Sequence, residues 1–158
     1  MRAARLLLIA AGLLSAPALA GPYEDGLAAY ERADYTAALR LYKTAADRGH
    51  AYADIQLGLM YSFGKGVTRN AAEAVRLYRL AAEQGEAHAF SLLGVSYEYG
   101  QGIESDLRRA YMWFSLAEVK EPSRSGDRER VEGKLTFPQV AAAKEMAAAC
   151  TAAKFKDC

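Results

Sequence analysis

A fixed spacing of 36 residues constrains this chain more than any other feature. Residues 51–86 align with residues 87–122 without a gap, and ten positions are identical. Among them are Ala53/Ala89, Leu57/Leu93, Gly58/Gly94, Tyr61/Tyr97, Gly64/Gly100, Gly66/Gly102 and Ala81/Ala117. Self-similarity at such a period marks a stacked array, because one unit cannot bury its apolar face alone. A third, diverged copy precedes these two. Asp34, Asn70 and Asp106 are one period apart, as are Ala38, Ala74 and Ala110, and Tyr42, Tyr78 and Phe114. That first copy lacks the glycine loop and carries "ERADY" (residues 31–35) in its place.

Each unit reads as two helices. Asp34, Asn70 and Asp106 stand where an N-cap side chain accepts orphan backbone N–H groups. Asn70 with Glu73 has capping-box spacing. Ala74, Leu77, Tyr78 and Ala81 then follow the i, i+3, i+4, i+7 stripe of an amphipathic helix, with Gly85 just past its end. The first helix of the unit carries Ala53, Leu57, Gly58 and Tyr61 on one face, where small residues admit a neighbouring helix. Between the helices lies "YSFGKGV" (residues 61–67), echoed as "YEYGQGI" (residues 97–103). Gly64-Lys65-Gly66 could suggest a phosphate-cradling loop. Such a loop is needed once and follows a strand, whereas this turn recurs between helices and Lys65 becomes Gln101. The glycines are read as turn residues with positive φ.

The first twenty residues stand apart. Arg2 and Arg5 precede the apolar run "LLLIAAGLL" (residues 6–14), and Ala18 and Ala20 occupy the small positions of an A-x-A site. This is the pattern of a secretory signal peptide, too short for a transmembrane helix. The mature chain is expected to begin at about Gly21, in the periplasm or outside the cell, with no transmembrane segment. The whole chain has 20 Lys and Arg against 19 Asp and Glu. Setting residues 1–20 aside removes two arginines and no acid, which leaves a charge of −1. A balance like that gives no electrostatic footprint for nucleic acid.

The stretch "LGLMYSFGKGVTRNAAEAVRLYRLAAEQG" (residues 57–85) strongly resembles the Sel1-like repeat, a relative of the tetratricopeptide repeat. The likeness is close over residues 51–117. Residues 26–49 look more like an ordinary tetratricopeptide unit. "RRAYMWFSLA" (108–117) followed by "LTFPQVAAAKEMA" (135–147) looks like the closing segment of short secreted bacterial members. The resemblance implies an all-α solenoid of helix-turn-helix repeats with a C-terminal helical cap. Its parts are then a signal peptide (1–20), a tetratricopeptide-like unit (21–50), two Sel1-like repeats (51–86 and 87–122), and a polar linker with a capping helix (123–158). It also implies a scaffold or regulator that binds a protein or peptide partner, here expected to be a monomer.

In tetratricopeptide grooves the concave face is lined by the first helix of each unit. By that resemblance the partner-binding positions are Tyr30 in the first unit and Tyr52, Ile55, Leu59 and Phe63 in the second. His88, Val95, Glu98 and Tyr99 come from the third. Tyr23, Leu27 and Ser91 flank them. Aromatic anchors are usual in a binding patch. The competing reading is that the C-terminal segment or the curvature buries these positions as core.

Cys150 and Cys158 are the only cysteines. An even count in an oxidising compartment is read as a disulfide. An unbroken helix would hold them about 12 Å apart, beyond the roughly 7 Å a disulfide spans. The helix from Thr136 must therefore end soon after Cys150 and fold back. Two free thiols on a frayed tail are the alternative. Catalytic signatures are missing: His50 and His88 have no ligand partner at metal spacing, and no G-x-S-x-G or H-E-x-x-H motif occurs. No cofactor or enzymatic activity is expected. Two alternatives to a protein partner remain: binding of peptidoglycan fragments, and a β-lactamase-like hydrolase.

Overall fold

The computed structural model describes residues 21–158; the expected signal peptide, residues 1–20, lies outside them. The order is α1 (Pro22–Glu31), α2 (Tyr35–Asp47), α3 (Ala51–Phe63), α4 (Ala71–Glu83), α5 (Ala87–Tyr99), α6 (Leu107–Lys120), a 3-10 turn (Pro122–Arg124), α7 (Ser125–Glu132) and α8 (Phe137–Ala152). From α1 to α7 each helix packs on its neighbours in sequence, and α8 packs on α6. This is an all-α repeat solenoid. The first helix of each pair is its A helix (α1, α3, α5), the second its B helix (α2, α4, α6). No helix among the described residues is long and apolar enough to cross a membrane.

The three B helices start at the expected caps. Asp34 accepts from the amide of Ala37, Asn70 from Glu73, and Asp106 from Arg108 and Arg109. The capping box at Asn70 is only half formed. The Glu73 carboxylate is gripped by the Arg76 guanidinium at 2.7 and 2.9 Å, and the Asn70 amide donates to the carbonyl of Tyr61 instead. A bidentate charged pair outcompetes a neutral amide for the carboxylate. The turns after α3 and α5 need their glycines. Gly64 and Gly100 are left-handed at φ 66°. At Gly102 a Cβ would lie 2.2 Å from the carbonyl oxygen of Ala71 in the preceding unit.

Within each unit a tyrosine or phenylalanine ring of the B helix lies on a glycine of the A helix. A Cβ on Gly58 would sit 2.3 Å from the Tyr78 ring, on Gly94 2.6 Å from Phe114, and on Gly26 2.7 Å from Tyr42. All three rings are buried. Gly26 shows that the first unit keeps the same notch, with its loop four residues shorter. A rigid 36-residue register hides that equivalence: Gly26 pairs with Gly58 at a spacing of 32.

The C-terminal segment departs from expectation. Residues expected to be a polar linker form the 3-10 turn and α7, and α7 packs on α6 much as α3 packs on α2 and α5 on α4, while α8 packs on α6. Ion pairs hold α7. Arg128 pairs with Glu118 of α6, and Arg130 and Lys134 both pair with Glu98 of α5. Val131 is its one fully buried apolar residue. At the start of α8, Gln139 accepts from the backbone amide of Thr136 at 2.8 Å. Beyond Ala152 the chain folds back through positive φ at Lys154 and Phe155. Cys150 and Cys158 are disulfide-bonded, with 5.5 Å between Cα atoms.

Two outcomes follow from this packing. Gly94→Ala should lower stability by about 1–3 kcal/mol by overpacking against Phe114, despite the better helix propensity of alanine. Shortening the ring as well, in Gly94→Ala/Phe114→Leu, should recover part of that loss in chemical denaturation. Alkylation of the unreduced protein should add no mass by intact mass spectrometry, and reduction should open two sites.

Candidate functional site

The expected binding positions separate by which neighbour they meet. Ile55 is wholly buried and joins the core formed with the third unit. Its side chain fills the seam between units, so it is withdrawn from the binding face. Glu98 is withdrawn for a related reason. Its side chain is 1 % exposed and closed over by Arg130 and Lys134, the latter at 2.7 Å. Burial alone would raise its pKa, but hydrogen bonds from Arg130 and Lys134 hold it below the usual carboxylate value. Ser91 and His88 are also covered from this side. Arg124 donates to the hydroxyl of Ser91 at 3.3 Å. Burial, aided by the charge of Arg124, lowers the pKa of His88. On the third unit, then, the C-terminal segment takes most of the face.

The second unit keeps its face open. Leu59, Phe63 and Val95 converge on a cleft of about 330 Å³ between α3 and α5, floored by Tyr78 and edged by Arg69 and Gln101. Phe63 is 69 % exposed and Tyr99 58 %, an unusual setting for aromatics without a partner. Tyr52 is also exposed, while Tyr30 is half-buried against the Tyr35 ring, with centroids 5.2 Å apart. The face thus survives as a shorter patch than expected, built around Phe63.

A second feature was not foreseen. Asp54 is 5 % exposed and has no hydrogen-bond partner among the described residues. It sits in α3 beside Leu57 and lines a cleft of about 490 Å³ between α2 and α4. Lys43, Asp47, Glu73, Arg76, Leu77 and Leu80 share that cleft. Burial lifts the Asp54 carboxyl to about 6; Arg76 and His50 oppose the shift and Asp47 adds to it. The sequence carried a signal for this residue. Asp54 lies at the repeat position where the next unit has Phe90, so an acid stands at a core position. No group of three or more His, Cys, Asp or Glu side chains that could hold a metal occurs among the described residues.

Fold and face define a class: a helical-repeat scaffold of the kind that presents surfaces to other proteins. The Sel1 repeat model matches residues 18–50, 51–86 and 89–118, and the chain belongs to the Sel1 repeat family. These repeats mediate protein–protein interaction and are typically non-enzymatic scaffolds. Two solved structures are similar. One is a protective antigen present in uropathogenic Escherichia coli strains, displaying an SLR fold. It is 30% identical with a TM-score of 0.76, over 80% of this chain and 28% of that one. The other is a Sel1 repeat protein from Oxalobacter formigenes, 30% identical with a TM-score of 0.61, over 63% of this chain and 41% of that one. The chain therefore spans less than half the length of either. No curated protein matches it.

The unfavourable burial of Asp54 has a measurable consequence. In the unfolded chain the group titrates near 3.8, in the native protein near 6. Between those values Asp54 binds more protons in the native state than in the unfolded state, so its contribution to stability falls as pH rises from about 4 to about 6 and is level above. Asp54→Asn should stabilise the protein by on the order of 2 kcal/mol at pH 7 and change little at pH 4. Urea denaturation at the two pH values checks this.

Proposed function

We propose that this protein is a periplasmic or secreted scaffold or regulator. It acts as a monomer and binds a protein or peptide partner along the exposed edge of its A helices. One observation carries the reading: the cleft between α3 and α5 gathers Leu59, Phe63 and Val95 from two successive units, with Phe63 largely in solvent. An exposed aromatic beside a shaped apolar cleft is the anchor-and-pocket arrangement typical of binding hot spots. Stacked units supply it at a place no single unit could. Family membership supports the same class of function, since Sel1 repeats mediate contacts between proteins. The compartment rests on the signal-peptide pattern of residues 1–20.

A photo-crosslinking residue placed at position 63, in cells, should capture a discrete partner. The same probe at Arg40, on the exposed side of α2, should not. Phe63→Ala with Tyr99→Ala should weaken that capture about tenfold or more, since truncated hot-spot residues cost at least 1–2 kcal/mol each. The thermal midpoint should hardly move, because both side chains are exposed. Equal capture from position 40, or undiminished capture by the double variant, would sink the reading. Recovery in the periplasmic fraction, with a mature mass starting at Gly21, tests the compartment.

A further inference from the structure

The chain's own tail enters one of its grooves and leaves the repeat-equivalent groove without an occupant from the described residues. Between α4 and α6, a pocket is lined by Arg79, Glu83, Arg109 and Trp113 together with Phe155, Asp157 and Cys158 of the tail. Phe155 enters there, its ring 4.9 Å from Phe90, which in turn lies 5.6 Å from Trp113. The disulfide to Cys150 ties the tail down in that position. One period earlier the same four wall positions are Lys43, Asp47, Glu73 and Leu77, and these line the cleft between α2 and α4. Nothing of the described chain enters it. The glycines beside the two grooves report the difference. A Cβ on Gly85 would meet Phe155 at 3.8 Å, whereas one on Gly49 would meet nothing within 4 Å.

The two grooves also differ at their deepest point. Phe90, which receives an aromatic ring, is replaced by Asp54, a buried carboxylate without a partner. The nearby guanidinium of Arg76 is held by Glu73. The charged lining consists of three acids, Asp47, Asp54 and Glu73, and two bases, Lys43 and Arg76, so the groove is one positive charge short of balance. Leu57, Leu77 and Leu80 supply apolar walls around the acid. A carboxylate at the bottom of an aliphatic slot matches a long basic side chain, whose methylene stem packs on the walls while its head pairs with the acid. Asp47 and Glu73 also line the groove, but no group of three or more His, Cys, Asp or Glu side chains placed to hold a metal ion occurs among the described residues.

We propose that the groove between α2 and α4 binds a short segment of another polypeptide, and that a lysine or arginine of that segment pairs with Asp54. The tail in the α4–α6 groove is the internal precedent for the mode: a short stretch of chain lies between two B helices and inserts one side chain. The partner segment replaces the aromatic insertion with a cationic one because the receiving residue has changed from phenylalanine to aspartate. The 3.6-residue helical period puts Asp54, Leu57 and Tyr61 on the opposite side of α3 from Ile55, Leu59 and Phe63. The proposal therefore stands apart from the α3–α5 cleft, and the two can fail separately.

The test is an amide-shift titration of the labelled protein with four blocked pentapeptides, Ala-Ala-Xaa-Ala-Ala, where Xaa is Lys, Arg, Gln or Glu. The Lys and Arg peptides should give saturable shifts centred on Asp54, Leu57 and Leu77. The Gln and Glu peptides should bind at least tenfold more weakly. Asp54→Asn, whose spectrum should otherwise overlay that of the parent, should lose the preference for Lys and Arg. Several outcomes overturn the proposal. One is equal binding of the Gln peptide, and another is unchanged preference in Asp54→Asn. A third is no saturable shift for the Lys or Arg peptide up to about 10 mM, beyond the millimolar range expected of a single anchoring contact. Shifts confined to Leu59, Phe63 and Val95 would place the peptide on the other face. Shifts that grow with protein concentration alone would give the groove to a second copy.

Discussion

The contact on which the rest of the molecule depends is an aromatic ring laid on a bare helix backbone. Tyr42 on Gly26, Tyr78 on Gly58 and Phe114 on Gly94 each occupy space that a single methyl group would need. Close approach lets the A and B helices of a unit exclude water along their length, and the buried ring supplies a large apolar area at the contact. Because the same notch recurs, every unit has the same internal geometry. The stacking between units can then repeat, and grooves in successive units become comparable position by position.

From that regularity come both surfaces. On one side of the A helices the seam between units is filled by residues such as Ile55, while the side chains at its edge reach solvent. The C-terminal segment packs α7 on α6, and it takes over the third unit's edge through Glu98 and Ser91. At the end of the stack α7 is held by charge pairs and one fully buried apolar residue, Val131, while α8 closes on α6 with Val140, Ala143 and Cys150 buried. On the other side the tail closes one groove between B helices, and the preceding groove stays open around Asp54.

Much of this was legible in the residues. The caps Asp34, Asn70 and Asp106 and the turn glycines could be read because their roles are local: a side chain reaches a backbone group two or three residues away. The fold-back after Cys150 could be read because the span of a disulfide is shorter than two turns of helix. The exposure of the A-helix face was legible only in part. Phe63 and Tyr99 are exposed as expected. Ile55 and Glu98 share their helical periodicity yet are buried, because one faces the next unit and the other faces α7. Periodicity reports a side of a helix, and cannot report which neighbouring element will cover it. Gly26 was hidden by a four-residue difference in loop length, and Asp54 because the burial of a lone acid is set by the helices that pack around it.

The sequence by itself determined that this chain is a stack of helical pairs. Repeats, caps, turn glycines and apolar stripes are short-range instructions, each satisfied within one unit or between adjacent ones. The tertiary structure alone decided which parts of the stack remain available. Whether Glu98 meets solvent depends on Arg130 and Lys134, more than thirty residues away, and whether a groove is open depends on where a six-residue tail comes to rest. Those outcomes turn on competition between distant segments for the same surface, and that competition is settled only when all of them are packed together.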